Sequence, residues 1–244
     1  MTELLNYKPD WKTGISAAQA LMADPKDTQQ VFIVMKTMNR GAIVKGYRKL
    51  LRTRQGGEIA SQKLELADRL NDPNYRKSFA VGTVGYSYHK MMEATGYSAA
   101  GLADISNIDA LDENVQHPYE WYKRRLRDVH DIWHVLTGYS PDEPLDESCL
   151  VAFSYGQTKG LGWAVIAVLS VLSRLKVENG GLQIAAILEA FRNGRKAKWL
   201  PGEDYEKLLA EPLDAARERL NIQAPTRLNT YRIAHPILSR VSLA

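Results

Sequence analysis

The chain has 244 residues and a formal net charge of +4, with 45% apolar and 25% charged residues. That balance suits a soluble globular protein with a sizeable core and excludes a disordered chain. A single cysteine, Cys149, excludes an internal disulfide framework and reads as a buried, inert thiol. The basic balance, with a sequence pI of about 9.0, suits anionic partners without choosing among them.

Met1 to Asp10 carries Glu3 and Asp10 and no long apolar stretch, so it reads as neither a secretory signal nor an Arg-rich transit peptide. Asp27 then caps an apolar helix. Lys45, Arg48, Lys49, Arg52 and Arg54 follow, interleaved with Ile43, Val44, Leu50 and Leu51. They read as the basic outer face of a core helix, or as a surface for anionic lipid. Base-stacking aromatics are too few there, Tyr47 alone, for nucleic acid. Lys63 to Leu70 is a short amphipathic helix. Gly82 to Thr95 is another, closed by Gly96.

Pro118 opens a helix expected to run unbroken to Thr137 and to end at Gly138. Within it, Lys123, Arg124, Arg125 and Arg127 read as a solvated face. Ser140-Pro141-Asp142-Glu143 reads as a capping box for the next helix, which carries Glu147 towards Gly156. Leu161 to Lys176 is apolar on most faces. Its longest run, Leu161 to Leu172, falls well short of the roughly 20 residues needed to cross a bilayer. Gly156, Gly160 and Gly162 suggest close helix packing. Gly180-Gly181 breaks the chain before a helix from Leu182 to Arg192. Tyr205 to Leu220 contains Pro212 and is kinked or divided. Pro225 to Ala244 reads as an extended tail. With no repeat and few alternating patterns, the expected fold is a single all-α domain over 1–244, with its core at about 27–225.

The chemistry is concentrated in Leu126 to Phe153. Leu126, Val129, Trp133 and Leu136 form one apolar helical stripe, with His130 and His134 on or beside it. Histidines four residues apart can aim their ring nitrogens at a single ion. Asp131 is placed either to ligate that ion or to orient a histidine, and Glu147 on the next helix can oppose them. Mixed nitrogen and oxygen ligands suit Zn²⁺ or Fe²⁺ better than Ca²⁺, with Mg²⁺ less natural beside imidazole. The same spacing also fits core histidines, with Asp131 paired to Arg127. His89, His117 and His235 have no paired ligand spacing and read as structural or exposed. No triad, P-loop or dinucleotide motif is present.

The run RDVHDIWHVLTGY closely resembles the signature of the coenzyme Q biosynthesis protein 4 family. GTVGYSYHKMM (Gly82 to Met92) is similar to that family's Gly-x-x-Gly-x-x-Tyr segment, and LPGEDYEKLLAEPLDAARERLNI (Leu200 to Ile222) to its C-terminal helix. The likeness covers roughly Asp27 to Pro225. In the family pattern eleven residues separate the second His from Glu; here that count reaches Asp146, and Glu147 follows. Asp146-Glu147-Ser-Cys-Leu resembles the family's Gly-Glu-x-x-Leu. That places a one-residue insertion in Ser140 to Leu145 and makes Glu147 the expected ligand, with Asp146 the alternative.

The resemblance implies a helical, membrane-peripheral protein of ubiquinone biosynthesis, a metal site between two consecutive helices and an apolar lipid groove. The divalent metal, usually taken as Zn²⁺, would be held by His130, Asp131, His134 and Glu147. Implied partners are a polyprenylated quinone precursor lipid, the membrane surface, other ubiquinone biosynthesis enzymes and a second copy in a homodimer, with no nucleic acid. The implied activity is loss of the C1 carboxyl from a polyprenylated hydroxybenzoate intermediate, coupled to hydroxylation of that carbon, with His130, Asp131 and His134 as the catalytic set. A non-catalytic lipid-binding scaffold is the rival. A bacterial protein on the cytoplasmic face of the inner membrane is the expected setting. Tyr88, Trp133 and Tyr139 are the aromatic candidates for touching the substrate ring.

Overall fold

Capping side chains start the first helices where the sequence places them. Asp10 accepts from Thr13 N (3.1 Å) at α1 (Trp11–Ala23), and Asp27 from Gln30 N (3.3 Å) at α2 (Thr28–Met38). The computed structural model describes residues 8–24, 27–97 and 117–236. It continues with α3 (Arg40–Leu50), α4 (Arg54–Gln62), α5 (Leu66–Asn71), α6 (Pro73–Lys77) and α7 (Val84–Thr95). Then come α8 (Pro118–Asp128), α9 (His130–Thr137), α10 (Pro144–Thr158), α11 (Leu161–Ser173), α12 (Gly180–Lys196), α13 (Tyr205–Leu208), α14 (Leu213–Leu220) and α15 (Thr226–Ala234). Among the described residues there is no strand, only an isolated bridge between Thr83 and Pro212.

The fold is all-α, as the sequence indicates, with five corrections to its elements. The segment expected to be helical from Lys63 starts its helix only at Leu66, because Lys63 is the left-handed C-cap of α4. Gly180 and Gly181, expected to break the chain, open α12. The helix expected from Pro118 to Thr137 is interrupted at Val129, giving α8 and α9. The capping box at Ser140 does not form: α10 begins later, with Pro144 in its first turn and no side-chain cap from Glu143. Residues 226–234 of the expected tail form helix α15, which buries Leu228 and packs on α12. The remainder from 237 lies outside the described residues. Pro212 divides α13 from α14 and sits as the N-cap of the latter.

The main core joins α7, α9, α10, α12, α13 and α14 through buried residues such as Val84, Leu136, Leu150, Phe153, Ala190 and Leu208. Its tightest seam is α10 against α12. A Cβ on Gly194 would lie 2.3 Å from Phe153 O, and one on Gly156 2.9 Å from the backbone of Gly194 and Arg195. Gln157 spans this seam, donating to Gly194 O (2.6 Å) and accepting from Leu200 N (2.8 Å).

Helix α11 is the exception to inward apolar packing. Ile166 is buried, but Leu161, Val168 and Leu172 are exposed, as are Leu175 and Val177 just beyond. Among the described residues no helix is long and apolar enough to cross a membrane. A cavity of about 30 Å³ lies between Trp163 of α11 and Tyr122, Leu126 and Trp199. A second, of about 250 Å³, is lined chiefly by polar side chains, including Gln55, Glu58, Arg69 and Arg125.

The basic run on α8 is not a solvated face. Arg124 forks onto Glu65 (2.7 and 3.1 Å), Arg127 pairs with Asp128 (2.8 Å), and Arg125 is buried against Glu206 (3.3 Å). By contrast Lys45, Arg48, Lys49, Arg52 and Arg54 are exposed, as expected.

Candidate metal centre

Two consecutive helices bring the site together. Four residues apart on α9, His130 and His134 present their rings to the same side, 5.0 Å between centroids. The chain reverses after Gly138, which takes φ +76 as the C-cap and ends α9. Glu147, in the first turn of α10, then faces both rings. One ligand atom from each of His130, His134 and Glu147 can be chosen so that all lie within 4.8 Å of one another.

The hydrogen-bond directions are decisive. His134, 2% exposed, has Nδ1 2.9 Å from Tyr139 O, so Nδ1 must carry hydrogen. Its Nε2 then turns a lone pair towards Glu147 Oε2 at 3.1 Å. His130 repeats the pattern, with Nδ1 3.4 Å from Asp131 Oδ1 and Nε2 3.7 Å from Glu147 Oε1. Every imidazole nitrogen therefore faces an acceptor. Lone pairs facing a carboxylate repel unless a cation sits between them, either extra protons or a metal ion. The residues fit a divalent cation with imidazole and carboxylate donors.

The electrostatics agree. Burial would raise the Glu147 carboxyl. When protons rather than a metal ion occupy the gap, His134 Nε2 donates to it, and the charges of both histidines hold it down at about 2. Burial would lower His130, yet the Asp131 hydrogen bond and the fields of Glu147 and Asp131 leave it above the ordinary imidazole value. Tyr97, at the end of α7, hydrogen-bonds Asp142 and feels Glu147 and Asp131, which raises its phenol and marks an acidic rim.

A family model described as coenzyme Q (ubiquinone) biosynthesis protein Coq4 matches residues 5–226. The chain belongs to this family. Coq4 relatives include the mitochondrial ubiquinone biosynthesis protein COQ4 homologs of Nematostella vectensis and Bos taurus. The first is 28% identical, covering 72% of this chain and 83% of the relative; the second is 27% identical, covering 88% and 79%. The fold is also that of a Nostoc punctiforme protein known from a 2.85 Å crystal structure. The TM-score is 0.66 at 18% identity, covering 89% of this chain and all of that one. Coq4 membership assigns the chain to ubiquinone biosynthesis. The named relatives are mitochondrial, whereas the sequence suggested a bacterial setting.

Against the Coq4 pattern, the structure separates Glu147 from Asp146. Glu147 faces the histidines, while the Asp146 carboxylate accepts from Ser140 N (2.7 Å) and from Arg232. Asp131 lies outside the three-residue cluster and meets the far nitrogen of His130. Arg127, the partner that the alternative reading gave Asp131, pairs with Asp128. Tyr88, Trp133 and Tyr139 are each at most 3% exposed, and Trp133 Nε1 donates to Tyr205 Oη (2.5 Å), so these aromatics belong to the core.

His89 pairs with Glu93, His117 caps α8 and His235 contacts Asn179, all structural as expected. Cys149 is buried and free, its thiol pushed up by burial. Sequence reading missed Trp163, whose ring lies parallel to His130 (interplanar angle 4°, centroids 5.8 Å), and Tyr97. Neither carries a spacing signal, because Trp163 reaches the site from α11 and Tyr97 from the segment just after α7.

Proposed function

We propose that this protein removes the C1 carboxyl of a polyprenylated 4-hydroxybenzoate-derived intermediate of ubiquinone biosynthesis. Hydroxylation of the same carbon is coupled to it, and the reaction takes place at a divalent ion held by His130, His134 and Glu147. The observation that carries this reading is the pair of imidazoles whose nitrogens all face acceptors. A bound divalent ion supplies Lewis-acid polarisation of a carboxylate or phenolic oxygen.

The chain's own side chains supply the rest. The Tyr139 carbonyl holds His134 in one tautomer, and Asp131 orients His130. His130, His134 and Glu147 would hold the ion with three protein ligands, the number typical of catalytic rather than structural zinc sites. When the bond from C1 to the carboxyl breaks, CO₂ leaves and the electron pair stays on C1. In simple decarboxylation that pair takes a proton, which the Asp131–His130 pair can hold beside the site. In the coupled reaction one oxygen atom of dioxygen would go to C1 and the other would leave as water. The pair on C1 would supply two electrons and an external two-electron donor the other two. Fe²⁺ would suit that redox step, whereas Zn²⁺ is redox-inert.

Exposed apolar residues of α11 and exposed cations of α3 support peripheral membrane association, where a polyprenyl tail resides. A homodimer and contacts with other enzymes of the route are part of the same proposal. The exposed α11 face also favours a second reading, a non-catalytic lipid-binding scaffold.

The test is rescue of a bacterial strain that makes ubiquinone precursors but cannot process C1, with quinone lipids quantified by mass spectrometry. Wild type should restore ubiquinone, and His134→Ala at equal expression should accumulate the carboxylated precursor. Equal rescue by both would discard the catalytic metal and leave the scaffold.

A further inference from the structure

The ligands sit on two helices joined by a short loop, and that loop is gripped from a distant part of the chain. Asp146, its side chain 3% exposed, accepts from Ser140 N (2.7 Å) inside the loop and from Arg232 Nη2 of α15. The same Nη2 reaches Gly138 O (3.4 Å), at the end of the histidine helix. One carboxylate and one guanidinium thus tie the start of α10 to the end of α9. Arg217 adds to the grip, donating to Leu136 O (2.9 Å) and Val135 O (3.0 Å).

Arg232 is itself anchored. Helix α15 is held to α12 by Arg227 N on Glu189 (2.7 Å) and by Gln183 on the Tyr231 hydroxyl (3.2 Å). Asp146 and Glu147 are consecutive on one helical turn, so fixing the first fixes the backbone from which the second projects. His134 lies one turn before Gly138, whose N–H donates back to its carbonyl (2.8 Å). The 3.1 Å approach of Glu147 to His134 therefore depends on how the loop is held.

We infer that Asp146 and Arg232 are positioning residues that set the Glu147 carboxylate against His134 and thereby govern how tightly the site holds a divalent ion. This rests on the metal reading above. Outer partners of metal ligands typically change affinity by about 10- to 100-fold.

The experiment uses the full chain, stripped of metal and titrated with Zn²⁺ against a chromophoric chelator, and with Co²⁺ followed by its visible absorption. The variants are Arg232→Met, Arg232→Lys, Asp146→Asn, the Arg232→Met/Asp146→Asn pair and His134→Ala. Arg232→Met and Asp146→Asn should each weaken Zn²⁺ by about 10-fold or more and change the Co²⁺ band shape. The double variant should lose no more than the worse single, because the two act as one unit. Arg232→Lys should recover part of the loss, since it restores the charge without the planar guanidinium. Leu50→Ala, in the separate cluster around Trp121 and Tyr122, is the stability control: it should lower the metal-free melting temperature and leave Zn²⁺ affinity alone.

Wild-type affinity and an unchanged Co²⁺ spectrum in Arg232→Met would overturn the inference. So would a loss that Leu50→Ala reproduces at an equal fall in melting temperature. If His134→Ala binds Zn²⁺ like wild type, the metal reading itself falls. If His134→Ala alone fails to bind, only the positioning role does.

Discussion

The two ends of α10 are built on opposite rules. Its N-terminal turn leaves Glu147 partly exposed, facing ring nitrogens that offer it no neutral donor. Near its C-terminal end Gly156 and Gln157 close against α12 and Leu200 with every amide atom of Gln157's side chain paired and no room for a methyl group. One end keeps an electrostatic conflict that a cation resolves; the other removes both space and conflict. Stability and ligand affinity should therefore separate along this one helix.

The largest expected effect tests the closed end. Gly194→Ala should cost about 3 kcal/mol through overpacking against Phe153. At about 2–4 °C per kcal/mol for a chain of this size, that is a fall in Tm of roughly 6–12 °C by circular dichroism. An unchanged Tm would show that the seam has slack. Next, at the open end, His134→Ala should weaken Zn²⁺ by more than about 100-fold in a chelator competition, beyond what an outer partner contributes. Its metal-free Tm should fall less than that of Gly194→Ala; a larger fall would erase the contrast.

A smaller effect follows from protonation. The Glu147 carboxyl, held down at about 2 from an ordinary 4.5, contributes stability that is present above pH 4.5 and lost as pH falls towards 2. His130, raised above 6.5, contributes stability that is full below that value and lost as pH rises through its folded value. Metal-free melting curves of wild type and Glu147→Gln should therefore converge as pH falls from 4.5 to 2. Parallel curves across that window would remove the proposed carboxylate–imidazole coupling. The smallest effect is Trp163→Leu, which removes the stacked wall beside His130. An aromatic pair is worth about 0.5–1.5 kcal/mol, so at about 2–4 °C per kcal/mol the metal-free Tm should fall by roughly 1–6 °C, less than for Gly194→Ala.

What could be read from the sequence was what depends on neighbours along the chain. Gly96 and Gly138 end α7 and α9 because each takes a left-handed φ, +70 and +76. Two histidines one turn apart and a carboxylate on the next helix needed only helical geometry to meet. What could not be read was set by distant partners. Arg124 and Arg125 look solvated until Glu65 and Glu206 arrive from elsewhere in the chain. The stretch after Pro225 looks like a tail because its helical signal is weak; α12 supplies the surface that buries Leu228. The insertion left Asp146 and Glu147 as rivals, and only the packed loop shows which of them faces the histidines.

The span between Asp146 and Arg232, 86 residues, has a consequence for synthesis. A growing polypeptide that has emerged only as far as α12 already possesses His130, His134 and Glu147 but neither Arg217 nor Arg232. Under the positioning proposed above, such a nascent chain would meet the cell's metal ions with its clasp unfastened, and tight binding would be a property of the finished molecule rather than of the segment that carries the histidines.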